Sequence, residues 1–217
     1  ALMGCAWPDT QDHTPYKGDI VLLLSNDIHS NLGTSKIMST DGSTRITGGV
    51  ARMAAAQAGV RHRAFGKTLT LDGGDYSQGT PYQDGYQKGW EILALAEMQV
   101  DFCTLGNHEF DWGITATTDS DGTMPHYTLA GTEHDSKIPI LASNIYYAGT
   151  SDRVDFTQDY VILNKTAVSP SGQTRTVRIA VVGYVATYAS SIMASEIAPY
   201  TILAELNRAE QTAKALK

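Results

Sequence analysis

From Thr104 to Gly113 the chain reads TLGNHEFDWG. The apolar run Val100–Leu105 stops at Gly106, and Asn107, His108, Glu109 and Asp111 follow at once, with Asp101 just upstream. An apolar run of strand length that ends in a glycine and then in metal-capable side chains is how a buried strand delivers chemistry at its carboxyl end.

Two earlier runs end the same way. Asp19–Asn26, with IVLLL at its centre, leads into Ser25-Asn26-Asp27-Ile28-His29, and Thr68–Leu71 leads into Asp72-Gly73-Gly74-Asp75. The unbroken apolar character of these runs predicts strands buried on both faces. Between them, the alanine-rich GGVARMAAAQAG (Gly48–Gly59) and Gly89–Met98 predict helices. Further strands are expected at Ile138–Ala142, Tyr160–Leu163 and Val177–Val182, and an amphipathic helix over Ile202–Lys217. Asn31–Thr47 reads as a loop, and Thr115–Asp135 as a long irregular surface insertion. Alternating strands and helices define the α/β class. No G-x-G-x-x-G follows the first strand, which argues against a dinucleotide-binding domain.

Aspartate and histidine two apart in extended backbone face the same way, so Asp27 and His29 suit a divalent transition metal. Asp75 follows His29 by 46 residues and Asn107 follows Asp75 by 32, room for a βαβ crossover each time. Three strand ends then sit side by side, and a carboxylate on the middle one can bridge two ions. Gly73, Gly74 and Gly79 allow close approach of backbone to a ligand. Asp72 competes for the bridging role; Asp75 is preferred because it lies beyond the glycines.

SNDIHSN, GGVARMAA, LDGGDYSQGTPY and LGNHEFDWG, in that order, closely resemble the calcineurin-like metallophosphoesterases, in particular the bacterial 5′-nucleotidase and 2′,3′-cyclic-nucleotide phosphodiesterase branch. IPILASNIYY and RIAVVGYVAT resemble the segments that follow, so the likeness runs over residues 19–217. It implies a four-layer α/β/β/α sandwich, present here as its N-terminal portion, with 1–18 a leader or linker. It implies two divalent ions (Mn, Zn, Fe or Co), with Asp27 and His29 on the first, Asp75 on both and the neutral Asn107 on the second. His108 and Asp111 resemble the family's catalytic pair, the histidine facing the phosphoryl group and the aspartate orienting it. Glu109 fits a supporting role better than a ligand's. The implied chemistry is in-line hydrolysis of a phosphoester, most readily a nucleotide, by a hydroxide that the two metals activate. The alternatives are a non-catalytic binding or structural module of the same fold, and a hydrolase of nucleotide sugars or sulfate esters.

The family pattern continues to a lone histidine and a Gly-His-x-His turn, which supply the remaining metal ligands and do not occur before Lys217. His13, His62, His126 and His134 read as surface residues rather than substitutes, with His62 in a polar turn. The expectation is therefore a catalytic domain cut before its C-terminal ligands, inactive alone, with an exposed sheet edge open to association.

Composition is compatible with this. The chain has 217 residues, 42% hydrophobic and 18% charged, and a net charge of −7. That balance disfavours a nucleic-acid polymer as partner, but not a small phosphorylated substrate beside bound cations. No apolar run approaches the ~20 residues of a membrane span. Leu2-Met3-Gly4-Cys5 resembles a lipoprotein cleavage box, which implies lipidation of Cys5 and an extracytoplasmic place, periplasmic or cell-surface, in a bacterium. Cys103, inside an apolar run, reads as a buried small hydrophobe.

Overall fold

The computed structural model describes residues 20–65, 67–80, 90–111, 114–118, 125–129, 138–168, 172–189 and 197–216. The expected leader, Cys5, His13, His134 and the Trp112-Gly113 end of the opening motif lie outside them.

A three-stranded parallel sheet forms the frame. β1 (Val21–Ser25) pairs with β4 (Thr68–Asp72) in register from Val21 opposite Thr68 to Ser25 opposite Asp72. β4 pairs in turn with the short β5 (Phe102–Cys103). Helix α1 (Val50–Arg63) connects β1 to β4, and α2 (Trp90–Glu97) lies between β4 and β5. The α/β class is the one expected. Single parallel bridges continue the frame from Cys103 to Ile140 and from Leu141 to Gln158.

Four antiparallel ribbons complete the described residues. β2 (Ser35–Met38) pairs with β3 (Thr44–Thr47), and β6 (Ile114–Thr118) with β7 (Pro125–Leu129). β8 (Ile145–Tyr147) pairs with β11 (Tyr200–Ile202), and β9 (Tyr160–Val168) with β10 (Thr174–Val182). Helix α3 (Glu205–Ala215) follows β11.

The core is built mainly from α2 (Ile92, Leu95), the β5 segment (Val100, Cys103, Leu105), Phe110, and Ile140, Ala142 and Ile145. Cys103 is buried and free. Arg61, in the basic last turn of α1, donates to Met98 O at 2.6 Å and Thr70 Oγ1 at 3.0 Å, which locks the helix end to the sheet.

Several expectations change. The 31–47 loop contains the β2–β3 hairpin, closed at Asp41-Gly42, where the Asp41 carboxylate accepts from Ser43 N and Oγ. The 115–135 insertion contains β7 and all of β6 but Ile114, because β-branched ITATT favours extended backbone even without a continuous apolar run. His126 therefore falls in a strand, opposite Thr117. His62 is exposed in the last turn of α1, not in a polar turn. Val100–Leu105 is ladder-bonded only at Phe102 and Cys103, and Ile138–Ala142 makes only single bridges, so apolar runs overstated strand length there. Burial on both faces holds for β4 but not for β1, where Leu22 and Leu24 are 56% and 70% exposed.

The loops after β4 and β5 touch through glycine. At Gly74, with φ at 91°, an added Cβ would stand 2.7 Å from Leu105 C. At Gly106 it would strike the Asp75 carboxylate and approach Asp75 N to 2.6 Å. Gly106→Ala is expected to lower unfolding free energy by about 3 kcal/mol or more in urea titrations, since backbone has to move to admit the methyl. An unchanged midpoint would show that this close approach is dispensable.

Candidate metal and phosphoester site

The first two strand-end loops run on side by side after their strands stop. Gly73 N donates to Ser25 O at 2.7 Å, Asp27 N to Gly74 O at 3.0 Å, His29 N to Asp75 O at 3.0 Å, and Ser30 N to Tyr76 O at 2.9 Å. This ladder holds Asp27, His29, Ser30 and Asp75 at φ of 53°, 49°, 53° and 52°, a left-handed region that side chains other than glycine enter at a cost of about 1 kcal/mol or more each. The same-face argument from extended backbone is thus corrected: a strained turn, not a pleat, brings Asp27 and His29 together.

The convergence itself is present. One ligand atom from each of Asp27, His29 and Asp75 lies within 4.8 Å of the others. His29 Nε2 stands 3.6 Å from Asp27 Oδ1. Among the described residues no lysine or arginine pairs with Asp27 or Asp75. Two carboxylates and an imidazole converging without a protein cation are a donor set that fits a divalent metal ion.

The third loop is fastened by Glu109, fully buried in the short 3₁₀ turn His108–Phe110. Its carboxylate accepts from Gly106 N at 2.6 Å, Asp75 N at 2.9 Å and Ser77 N at 3.0 Å. Burial pushes this carboxyl up to about 7, against the downward pull of those three donors. Glu109 is therefore the clamp between the second and third loops. Its three-residue spacing from Gly106 hints at a local cap; the bonds to Asp75 and Ser77 have no sequence signal. Phe110, also fully buried, sets its ring 6.0 Å from that of Tyr200, which braces the turn against β11.

His108 N donates to Asp75 Oδ1 at 3.0 Å, so the turn also steadies the middle carboxylate. The His108 Nδ1 lies 3.1 Å from Asp111 Oδ2, and its ring meets that of His29 edge-on with centroids 5.0 Å apart. With Nδ1 engaged by Asp111, Nε2 is the nitrogen left for a substrate. Asn107 is buried and lines a cleft of about 580 Å³ together with Asp27 and Asp75; Leu24, Phe102, Val181 and Tyr188 form apolar wall.

Two other acids are structural. Asp101 accepts from Thr70 N at 2.8 Å. Asp72 is buried and accepts from Ser25 Oγ at 2.6 Å and Gly74 N at 3.0 Å, so both its oxygens are occupied. That geometry favours Asp75 over Asp72 as the carboxylate offered to a ligand.

Fold and site together describe a class: an α/β domain whose parallel strand ends gather acids and an asparagine at one cleft, with two histidines on the same loops. No family model matches the chain. It is 32% identical over 126 residues to the 2′,3′-cyclic-nucleotide 2′-phosphodiesterase/3′-nucleotidase of Haemophilus influenzae, covering 54% of this chain and 17% of that protein. It is 36% identical over 122 residues to the 5′-nucleotidase of Bos taurus, covering 55% and 20%. The crystal structure of the calcineurin-like phosphoesterase YfkN from Bacillus subtilis superposes with a TM-score of 0.63 at 26% identity, over 90% of this chain and 57% of that one. The chain belongs to the calcineurin-like phosphoesterase superfamily. It spans about a fifth of the length of the two curated relatives.

Two outcomes follow for the loops. Glu109→Ala strands three N–H donors, that of Ser77 buried and those of Asp75 and Gly106 half-buried, so unfolding free energy should fall by about 3 kcal/mol, read from urea titration; a loss under about 1 kcal/mol would deny the clamp. Burial raises the Asp72 carboxyl from 3.8 to about 6. A raised acid favours the folded state fully below the unfolded value, and that contribution is lost as pH rises through 6. Stability should therefore decline between pH 4 and 6 by up to about 3 kcal/mol on this group's account. In Asp72→Asn, measured in EDTA, that decline should shrink; an identical pH profile would remove Asp72 as its source.

Proposed function

We propose that the protein carrying this chain is a metal-dependent phosphoester hydrolase that acts on nucleotides, of the 5′-nucleotidase or 2′,3′-cyclic-nucleotide phosphodiesterase type. The observation that carries this reading is the meeting of Asp27, His29 and Asp75 beside the His108–Asp111 pair, on three adjacent strand-end loops. The names of the two curated relatives, a 2′,3′-cyclic-nucleotide 2′-phosphodiesterase/3′-nucleotidase and a 5′-nucleotidase, support the substrate class.

In this reading Asp27, His29 and Asp75 hold one divalent cation, and Asp75 with Asn107 offers a second place. A cation there supplies Lewis-acid polarisation of the phosphoryl group and acidifies water. The chain's own part is positioning and proton handling. His108 is held by Asp111 through Nδ1, which leaves Nε2 to donate to a phosphoryl or leaving oxygen. The apolar wall of the cleft offers a surface for the uncharged part of a substrate. The family's further histidines would complete the ligand set in the whole protein, so the 217 residues alone are proposed to turn over little substrate.

The test is phosphate release from nucleoside monophosphates, and formation of nucleoside monophosphate from 2′,3′-cyclic nucleotides, by the full-length protein with Mn²⁺ or Zn²⁺. His108→Ala should lower kcat roughly 10²–10³-fold, and Asp75→Ala should remove the metal response. Rates equal to wild type in both variants would defeat the assigned roles. An absence of any hydrolysis with metal retained would favour the binding module.

A further inference from the structure

Behind the loop that carries His29 lies a buried polar contact outside the proposed ligand and proton-transfer set. Ser30 is completely buried, and every polar atom it has is taken. Its N–H donates to Tyr76 O at 2.9 Å, its carbonyl accepts from Thr80 Oγ1 at 2.8 Å, and its hydroxyl donates to Glu91 Oε1 at 2.6 Å. Glu91, in the first turn of α2 and 61 residues away in sequence, is also buried. Among the described residues its second oxygen has no hydrogen-bond partner.

A buried glutamate with one oxygen unsatisfied is costly. An apolar residue at a helix position facing this core would be more stable, so the acid is explained by its tie to Ser30. That bond adds a side-chain tie to the main-chain bonds that hold Ser30, the residue after His29, at a positive φ that serine does not favour. Asp27 and His29 share the same left-handed strain. Loss of the Glu91 bond would leave the 27–30 turn held through main-chain atoms alone at its end nearest His29.

We propose that Glu91 is a positioning residue for the metal site: through Ser30 it holds the His29 imidazole in line with Asp27 and Asp75. The role rests on the metal-site reading above and extends it to a helix that touches no ligand. Groups that orient metal ligands from behind typically govern affinity by 10–100-fold. Burial raises the Glu91 carboxyl above its ordinary range, which suits a neutral isostere at this place.

The test uses the full-length protein with Co²⁺, whose visible absorption reports ligand geometry directly. Titrations compare wild type, Glu91→Ala, Ser30→Ala and Glu91→Gln. The expected result is that both alanine variants bind Co²⁺ roughly 10–100-fold more weakly, with a changed visible band. Glu91→Gln, which keeps an acceptor for Ser30 Oγ, should restore most of the affinity and the wild-type band. Alanine variants with lower thermal midpoints but wild-type Co²⁺ affinity and spectrum would make Glu91 merely structural and overturn the proposal. Should Glu91→Ala fail to fold, Ser30→Ala removes the same bond and decides alone. A wild type that binds no Co²⁺ would overturn the metal site and the positioning role together, whereas binding unaffected in every variant overturns the positioning role alone.

Discussion

Three backbone hydrogen bonds, from Asp27, His29 and Ser30 to Gly74, Asp75 and Tyr76, are the constraint on which the site depends. They continue the β1–β4 pairing past the point where the strands end, and hold two loops in register while their side chains turn toward one cleft. Without them, four residues at unfavourable positive φ would relax and the acids would part. The third loop joins by a different device, a single buried carboxylate that gathers N–H groups from both sides.

The stability of this region is therefore unevenly distributed. Local conformational strain sits at the ligand positions, and the compensation sits around them: the ladder, the Glu109 clamp, the glycine contact between Gly74 and Gly106, and the aromatic brace of Phe110 on Tyr200. Buried acids concentrate there too. Asp72, Glu91 and Glu109 are all pushed upward by burial, each held by hydroxyl or backbone donors. A cluster of this kind is tolerable only where geometry, rather than bulk stability, is what the fold must provide.

What the sequence disclosed follows from the range of each interaction. The apolar runs of β1, β4, β9 and β10 and the alanine-rich α1 are local signals, so these elements were legible, along with the ends of the first three strands. The β2–β3 and β6–β7 ribbons were not, because a two-stranded ribbon such as Ser35–Met38 with Thr44–Thr47, exposed at all but one position, has no apolar run to announce it. Asp27, His29 and Asp75 stood out by chemistry and position, while Asn107, His108 and Asp111 were separated from polar neighbours such as Asp101 only by resemblance. The duties of Glu109 and Glu91 could not, since their partners lie up to 34 and 61 residues away. The left-handed turn at Asp27–Ser30 was hidden for the opposite reason: local preference argues against it, and tertiary bonds impose it.

The ladder has one more consequence. Asp27, His29 and Asp75 take part in it only through main-chain atoms, an N–H from the first two and a carbonyl from the third. The pairing of the first two loops thus runs through main chain alone, and of the three side chains the Asp75 carboxylate ties in the third loop through His108 N. Within that pairing scaffold and chemistry are separable: the inventory of donor groups can be rewritten by single codon changes while the cradle keeps its shape. A fold with that property is free to explore which ion, and which ester, it serves without first relearning how to fold.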